Sequence, residues 1–483
     1  MFAKQMNNEW PQLKDVVYLD NAGTPLFLPD LIDRVHEDLR SNLYANPHSN
    51  SGPAQAVTND IQSVRTQILD FFGANTKDWD VVFVANATAA IKLTAHCFRD
   101  YAEEVGKRFW YGYHRDSHTS LVGARELARV GVGATGEAER CFLQDEEIDK
   151  WVIQSSEIRQ PSGQVNLLAY PGQSNMTGRR LPTHWPDLVR RKTNEAMETY
   201  TLLDAAALAS TSFLDLSDIA ASPDFVAVSF YKIFGYPQLG ALIVQRRSAR
   251  PLLSRKYFGG GTVDMVTTIG ESWHAKKTGS PHDALEDGTP ATHAIVAIGH
   301  AIRCFQDKYG ADPMRKIASH TSRLARDMAD RLSKLRHDNT SPMVRLYSDF
   351  SIGQSQGPVI AFNVLRPDGS IVAYSEVERL ANEHKICLRT GSLCNPGGLV
   401  RELGWTTEEL RQAFEAGHRC SKPESIVLGK ATGVVRVSLG MHNSESDVRL
   451  FILFIASNFL IGNKAHRSAY EQTPQLTSLI TVS

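Results

Sequence analysis

Short apolar runs alternate with helical or turn-rich stretches through the middle of the chain, and this alternation limits the possible folds more than any other feature. The runs lie at residues 81–84, 166–170, 200–203, 225–230 and 241–244, each bounded by turn or polar residues. Runs of this length, rich in Val, Leu and Phe, predict strands of a mostly parallel sheet buried on both faces. A helical pattern from Thr88 to about Phe98 follows the first run. Before it, Val57, Ile61, Val64 and Ile68 recur at helical spacing, and Gly73 closes that helix.

Past Thr289 the pattern changes. Residues 289–309 and 312–335 read as helices, the second with Met314, Ile317, Leu324, Met328 and Leu332 on one stripe. Strand-like segments follow at 344–347, 359–364, 386–388 and 434–437, then a helix over 444–461. The expected fold class is α/β: a large domain with a mostly parallel mixed sheet, followed by a smaller α+β carboxyl-terminal domain. The expected boundaries are 1–50 for an amino-terminal segment packing with the small domain, 51–300 for the large domain, 301–463 for the small domain and 464–483 for a polar tail. A length of 483 residues suits a two-part enzyme.

Charge and cysteine usage narrow the function classes. Lys+Arg number 52 and Asp+Glu 53, a formal net charge of −1, which argues against nucleic acid or an anionic membrane as the main partner. The apolar stretch 450–461 is interrupted by Ser457 and Asn458 and is too short to span a bilayer. No apolar leader is visible in residues 1–15. The six cysteines are scattered without a CxxC pair, so no disulfide framework and no metal site is expected, and a reducing, cytoplasmic setting is.

Two residues carry most of the chemical signal. Asp204 ends one apolar run, and Lys232 follows the next, in Ser229-Phe230-Tyr231-Lys232-Ile233-Phe234-Gly235. Ligands bind at the carboxyl edge of open α/β sheets. An acid and a lysine there suit pyridoxal phosphate, the lysine as its covalent anchor and the acid as partner of the pyridinium nitrogen. The pair also suits a loop-capping acid and a solvated strand-end lysine, and spacing alone leaves both open. Ala87 and Thr88, at a strand-to-helix turn, could admit a phosphate to backbone N–H groups. His118 could stack on a cofactor ring or be structural, and Asn175 could bond a ring hydroxyl or shape a turn.

Together these segments resemble a known family. Asn86-Ala87-Thr88, Ser117-His118-Thr119, Gln173-Ser174-Asn175-Met176-Thr177-Gly178, Leu203-Asp204-Ala205-Ala206-Ala207 and the Lys232 segment are followed by Phe258-Gly259-Gly260-Gly261-Thr262 and Arg389-Thr390-Gly391-Ser392-Leu393-Cys394-Asn395-Pro396-Gly397. The chain resembles the class V aminotransferase superfamily, pyridoxal-phosphate enzymes of fold type I. Within it, the chain is most similar to the amino-terminal, cysteine-desulfurase-like domain of molybdenum cofactor sulfurases. The resemblance implies that Lys232 carries the cofactor, Asp204 faces its ring nitrogen, His118 stacks on the ring and can relay a proton, and Asn175 holds the ring hydroxyl. It places Thr88, Ser229 and Tyr231 on the phosphate. It also implies a homodimer, in which Thr262 or Thr289 reaches the neighbouring subunit's phosphate. Arg436 would clamp the substrate carboxylate, with Arg389 a second candidate. A guanidinium fork suits that task.

Cys394 decides the chemistry. The resemblance implies that it takes sulfur from L-cysteine as a persulfide, releases alanine and passes the sulfur to an acceptor protein or cofactor. Two positions depart from the family pattern: Ser392 stands where sulfurases often have cysteine, and Ala207 where desulfurases commonly have glutamine. The alternatives are a pyridoxal-phosphate C–S lyase, or a biosynthetic enzyme forming a carbon–carbon bond on the same scaffold. A non-catalytic relative that kept the fold is the third reading.

Overall fold

The structure is a computed structural model, and it describes residues 9–129, 137–155, 163–192, 198–351 and 355–461. The expected tail at 464–483 lies outside the described residues. The chain forms two compact units: one comprises residues 24–174 and 180–316, the other residues up to 23, 175–179 and from 317 onward.

The larger unit is built on a seven-stranded sheet. Its strands are β1 (Trp79–Val84), β2 (Arg108–His114), β3 (Glu139–Phe142), β4 (Gln164–Pro171), β5 (Glu198–Asp204), β6 (Phe225–Ser229) and β7 (Gly240–Gln245), in the order β1-β7-β6-β5-β4-β2-β3. The pairs from β6 through β3 are parallel, and β7 runs antiparallel to both of its neighbours. β6 and β7 are buried along their whole length, which is why they read as unbroken apolar runs. The helix Ala87–Glu104 presses Ile91, Phe98 and Tyr101 into the core with Phe109, Leu167 and Phe225.

β2 and β3 were not among the expected strands. β2 is aromatic rather than aliphatic, and Gly112 interrupts its sequence. That glycine is required, because a Cβ there would lie 2.7 Å from the Trp110 ring. Trp110 instead stacks on Trp151 at a centroid distance of 4.8 Å.

The smaller unit has a four-stranded antiparallel sheet of β8 (Val344–Leu346), β9 (Val359–Val364), β10 (Arg389–Gly391) and β11 (Val434–Ser438), in the order β8-β9-β11-β10. Val17–Tyr18 pairs in parallel with Ile386–Cys387. Leu324, Met328 and Leu332 pack with Phe362, Val435 and Val437, and with Val448, Phe451 and Ile455 of the helix Glu445–Phe459. A capping box formed by Ser444 and Asp447 starts that helix.

The boundaries differ from the expected ones at two places. Residues 24–50, expected in the amino-terminal segment, group with the larger unit. The helix Thr292–Tyr309 also belongs to the larger unit, where it packs on the helices Pro29–Ser41 and Gly52–Phe71, and the division falls after Lys316. Among the described residues, no helix is long and apolar enough to cross a membrane.

Candidate active site

In the larger unit, the predicted residues gather at the carboxyl ends of β5 and β6. Asp204 is the last residue of β5 and is 7% exposed. Its Oδ1 accepts from the Ala206 N–H at 3.0 Å, and its Oδ2 has no hydrogen-bond partner among the described residues. Lys232 sits half-buried on the single-turn helix Phe230–Phe234, which leaves β6 directly. Gly235 ends this turn at φ 79°, its N–H bonded to the Tyr231 carbonyl at 2.8 Å. A Cβ at Gly235 would lie 2.5 Å from the Phe27 nitrogen, so only glycine fits.

His118 caps the short helix Thr119–Gly123, and its Nδ1 accepts from the Ser120 N–H at 3.1 Å. Burial pulls the imidazole pKa below its ordinary value; the Asp204 carboxylate opposes this, and the Lys232 ammonium adds to it. His118 therefore shares an electrostatic environment with both residues, and burial favours its neutral form. The Ser120 hydroxyl, not foreseen from sequence, lies 2.8 Å from His118 Nδ1 and 2.7 Å from Thr88 Oγ1.

Thr88 is exposed at the start of the helix Ala87–Glu104, where Asn86 caps by accepting from the Ala89 N–H. The Ala87 N–H donates to Ser229 Oγ at 3.0 Å. Two hydroxyls and a helix N-terminus thus meet in one place, an arrangement that suits a phosphate. Tyr231 is half-buried, and burial raises its phenol pKa, which keeps it a donor. Ala207 offers no side-chain amide, and its carbonyl accepts from Gln173 Nε2 at 3.3 Å. Thr262 is 1% exposed, with its hydroxyl bonded to both the carbonyl and the N–H of Gly259. Thr289 is exposed. Of the two threonines expected to reach a neighbouring subunit, only Thr289 offers an open hydroxyl.

In the smaller unit, the two arginines lie side by side on adjacent strands, Arg389 of β10 opposite Arg436 of β11. Arg436 is buried: its Nη2 lies 2.8 Å from Asp20 Oδ1, and its Nη1 donates to the Asn175 carbonyl at 2.8 Å. Burial lowers its pKa, with Asp20 opposing. Arg389 is 60% exposed, and its Nη1 stands 4.0 Å from Asp20 Oδ2. Asp20 was missed from sequence, because what marks it is Arg436, brought close only by folding.

Cys394 occupies the turn between β10 and the helix Pro396–Leu403 and is exposed. Leu393 and Cys394 both have left-handed backbones, at φ 57° and 54°. For non-glycine residues this costs about 1–2 kcal/mol each. Cys97 and Cys304 are buried, Cys141 and Cys387 half-buried, and burial raises the thiol pKa of all four, Cys97 to about 12. Cys394 and Cys420 are the two exposed thiols. Asn175, expected on the cofactor ring, directs its side chain to the Cys394 turn: Nδ2 donates to the Leu393 carbonyl at 2.7 Å, and Oδ1 accepts from Asn395 Nδ2 at 3.0 Å. Among the described residues, no group of three His, Cys, Asp or Glu side chains could hold a metal ion.

A sheet-edge lysine and acid, with a phosphate-suited helix start, define the lysine-anchored pyridoxal-phosphate type of α/β enzyme. The comparisons agree. The family described as Aminotransferase class-V matches residues 17–406, and the chain belongs to that family. A molybdenum cofactor sulfurase from Aspergillus clavatus is 48% identical over 473 residues, covering 97% of this chain and 54% of that protein. The chain thus spans about half the length of the curated relatives it matches. The structure of a cysteine desulfurase from Thermococcus onnurineus superposes with a TM-score of 0.70 at 19% identity, covering 95% of this chain and 98% of that one. A structure of C-DES with glycine covalently linked to its PLP cofactor superposes with a TM-score of 0.63 at 14% identity, covering 94% and 99%. Both superpositions establish the fold.

Pyridoxal phosphate is the cofactor these comparisons indicate, and the residues present fit it. The unpartnered Oδ2 of Asp204 can receive a pyridinium N–H. The half-buried His118 can present an uncharged ring. Thr88, Ser229 and the Ala87 end of the helix can hold the phosphate.

Proposed function

We propose that the chain is a pyridoxal-phosphate-dependent cysteine desulfurase-like sulfurtransferase, which moves the sulfur of L-cysteine onto Cys394 and releases alanine. The observation that carries this reading is the exposed Cys394 on a left-handed turn after β10, the strand that bears Arg389. A lyase or carbon–carbon bond-forming enzyme has no need of such a thiol.

When bound, the cofactor supplies the electron sink for bond breaking at the amino acid's α- and β-carbons. Lys232 anchors it and, once displaced by the substrate amine, moves the α-proton. Asp204 would hold a proton on the ring nitrogen, and His118, kept neutral by burial, would face the ring and pass a proton to the product. Arg389 offers its exposed fork to the substrate carboxylate, and Arg436 adds a buried positive charge beside it. Cys394 Sγ, as thiolate, attacks the substrate sulfur. An S–S bond forms as the Cβ–S bond breaks, and the electron pair of that bond stays with carbon, which is then protonated. The overall change is L-cysteine plus Cys394 thiol to alanine plus Cys394 persulfide, with no external oxidant. The relatives' name points to the molybdenum cofactor as the sulfur's destination.

We place the enzyme in the cytoplasm as a homodimer. Six free cysteines support the reducing compartment. The apolar hairpin Val263–Val266 and His274–Lys276, with Ile269 and Trp273 exposed between its strands, supports the dimer.

The test loads purified protein with pyridoxal phosphate, adds L-cysteine, and measures alanine and protein-bound persulfide. Wild type yields both, Lys232→Ala yields neither, and Cys394→Ser yields no persulfide. If Cys394→Ser turns over like wild type, the enzyme is a lyase instead.

A further inference from the structure

The turn that carries Cys394 is fastened on both sides of the thiol. Leu393 and Cys394 are successive left-handed residues without glycine, a backbone that rarely persists without external support. The support comes from Asn175. Its Nδ2 donates to the Leu393 carbonyl at 2.7 Å, and its Oδ1 accepts from Asn395 Nδ2 at 3.0 Å. The two contacts bracket Cys394, one on the residue before it and one on the residue after. Asn395 is itself fixed, with its Oδ1 accepting from the Gly398 N–H at 2.8 Å as cap of the helix Pro396–Leu403 and its own N–H bonded to the Ser392 carbonyl at 3.1 Å. The Asn175 carbonyl accepts from Arg436 Nη1 at 2.8 Å, so the same residue links the buried arginine to the thiol turn.

We propose that Asn175 and Asn395 form an amide clasp that sets the position of the Cys394 thiol for sulfur transfer, with Asn175 as the positioning residue. This rests on the reading of Cys394 as the sulfur carrier. The amide suits the task because it donates and accepts at once: an aspartate at 175 keeps the acceptor and loses the donor, and an alanine loses both. With the clasp open, the turn relaxes toward ordinary backbone angles and the thiol samples more positions. Its access to solvent rises while its encounter with the substrate sulfur falls.

Asn395→Asp isolates the clasp. The aspartate keeps an oxygen for the Gly398 N–H, so the helix cap survives, but it removes the donor to Asn175 and sets an anion against Asn175 Oδ1. The holoenzyme is compared with wild type by iodoacetamide labelling of Cys394, by single-turnover persulfide formation, by KM for L-cysteine and by cofactor absorbance. Cys394→Ser identifies the labelled thiol. The expected result is labelling faster by about five- to tenfold, the scale of losing one or two hydrogen bonds. Persulfide formation should slow by about the same factor, with KM and cofactor absorbance retained. Unchanged labelling overturns the proposal. So does faster labelling with an unchanged persulfide rate, and so does a defect confined to KM. Should Asn395→Asp fail to fold, Asn395→Ser gives the same comparison: serine is a good helix cap for the Gly398 N–H, and the amide donor to Asn175 is lost. If wild type forms no persulfide, the desulfurase reading fails by itself; the labelling comparison, which needs no turnover, still decides whether the clasp holds the turn.

Discussion

Asp20 offsets one of two opposed cations on neighbouring strands, and its partner Arg436 lies 416 positions away along the chain. Its carboxylate takes one arm of the Arg436 fork, while Arg389 remains exposed. The result is a local charge of one net positive, which under the proposed function would meet one substrate carboxylate. A second residue in the same unit carries a cost that pH reveals. His442 is buried, its Nδ1 has no hydrogen-bond partner among the described residues, and burial pulls its pKa down to about 4. Its ordinary value is 6.5, so between those values the unfolded chain binds the extra proton and the folded chain does not. Stability is then complete above about pH 6.5 and falls as pH drops toward 4, by roughly 3 kcal/mol from this residue at 1.36 kcal/mol per pKa unit. Urea unfolding of wild type and His442→Gln at pH 7.5 and pH 5 measures it. The variant should lose part of the acid sensitivity, and equal sensitivity in both proteins sinks the assignment.

At the scale of elements, the turn that carries Lys232 depends on its closing glycine. Gly235→Ala forces an alanine to φ 79° and drives its Cβ into the Phe27 backbone. The expected loss is about 2 kcal/mol in urea unfolding, with weaker cofactor binding in an absorbance titration, because the strain falls on the lysine's own turn. A neutral outcome in both measurements would show that the facing segment yields. The same elements show what a sequence reveals. β6, β7 and β9 came out within a residue or two, because strands buried on both faces are apolar throughout. β2 escaped because its burial comes through aromatic rings and a glycine, and β3 because a short edge strand needs few apolar residues. Lys232 and Asp204 were legible because each closes an apolar run. Asp20, Ser120 and Asn395 were not, because what marks them is a partner brought close only by folding: Arg436 for Asp20, Thr88 and His118 for Ser120, Asn175 for Asn395. Asn175 was singled out for a cofactor ring, yet its side-chain partners belong to the Cys394 turn.

For the whole molecule, the hairpin Val263–Val266 and His274–Lys276 poses the question of association. Ile269 is 91% exposed at its tip, and Met265, Val266 and Trp273 are exposed beside it. An apolar arm of this kind gains little by remaining in water, and its exposed strand edges invite pairing. With a formal charge of −1 and a pI near 7.0, long-range repulsion between copies is weak. A second copy of this chain satisfies both conditions, and the exposed Thr289 then has a neighbour to reach. Ile269→Glu/Trp273→Glu places like charges on the arm while removing almost no buried contact, so its unfolding free energy should stay within about 0.5 kcal/mol of wild type. Light scattering should find wild type at twice the chain mass and the double variant at the monomer mass, with cofactor affinity reduced in the monomer. A monomeric wild type contradicts the homodimer directly. A variant that stays dimeric moves the interface off the hairpin, and a monomer that binds cofactor as tightly as the dimer removes Thr289 from the phosphate site.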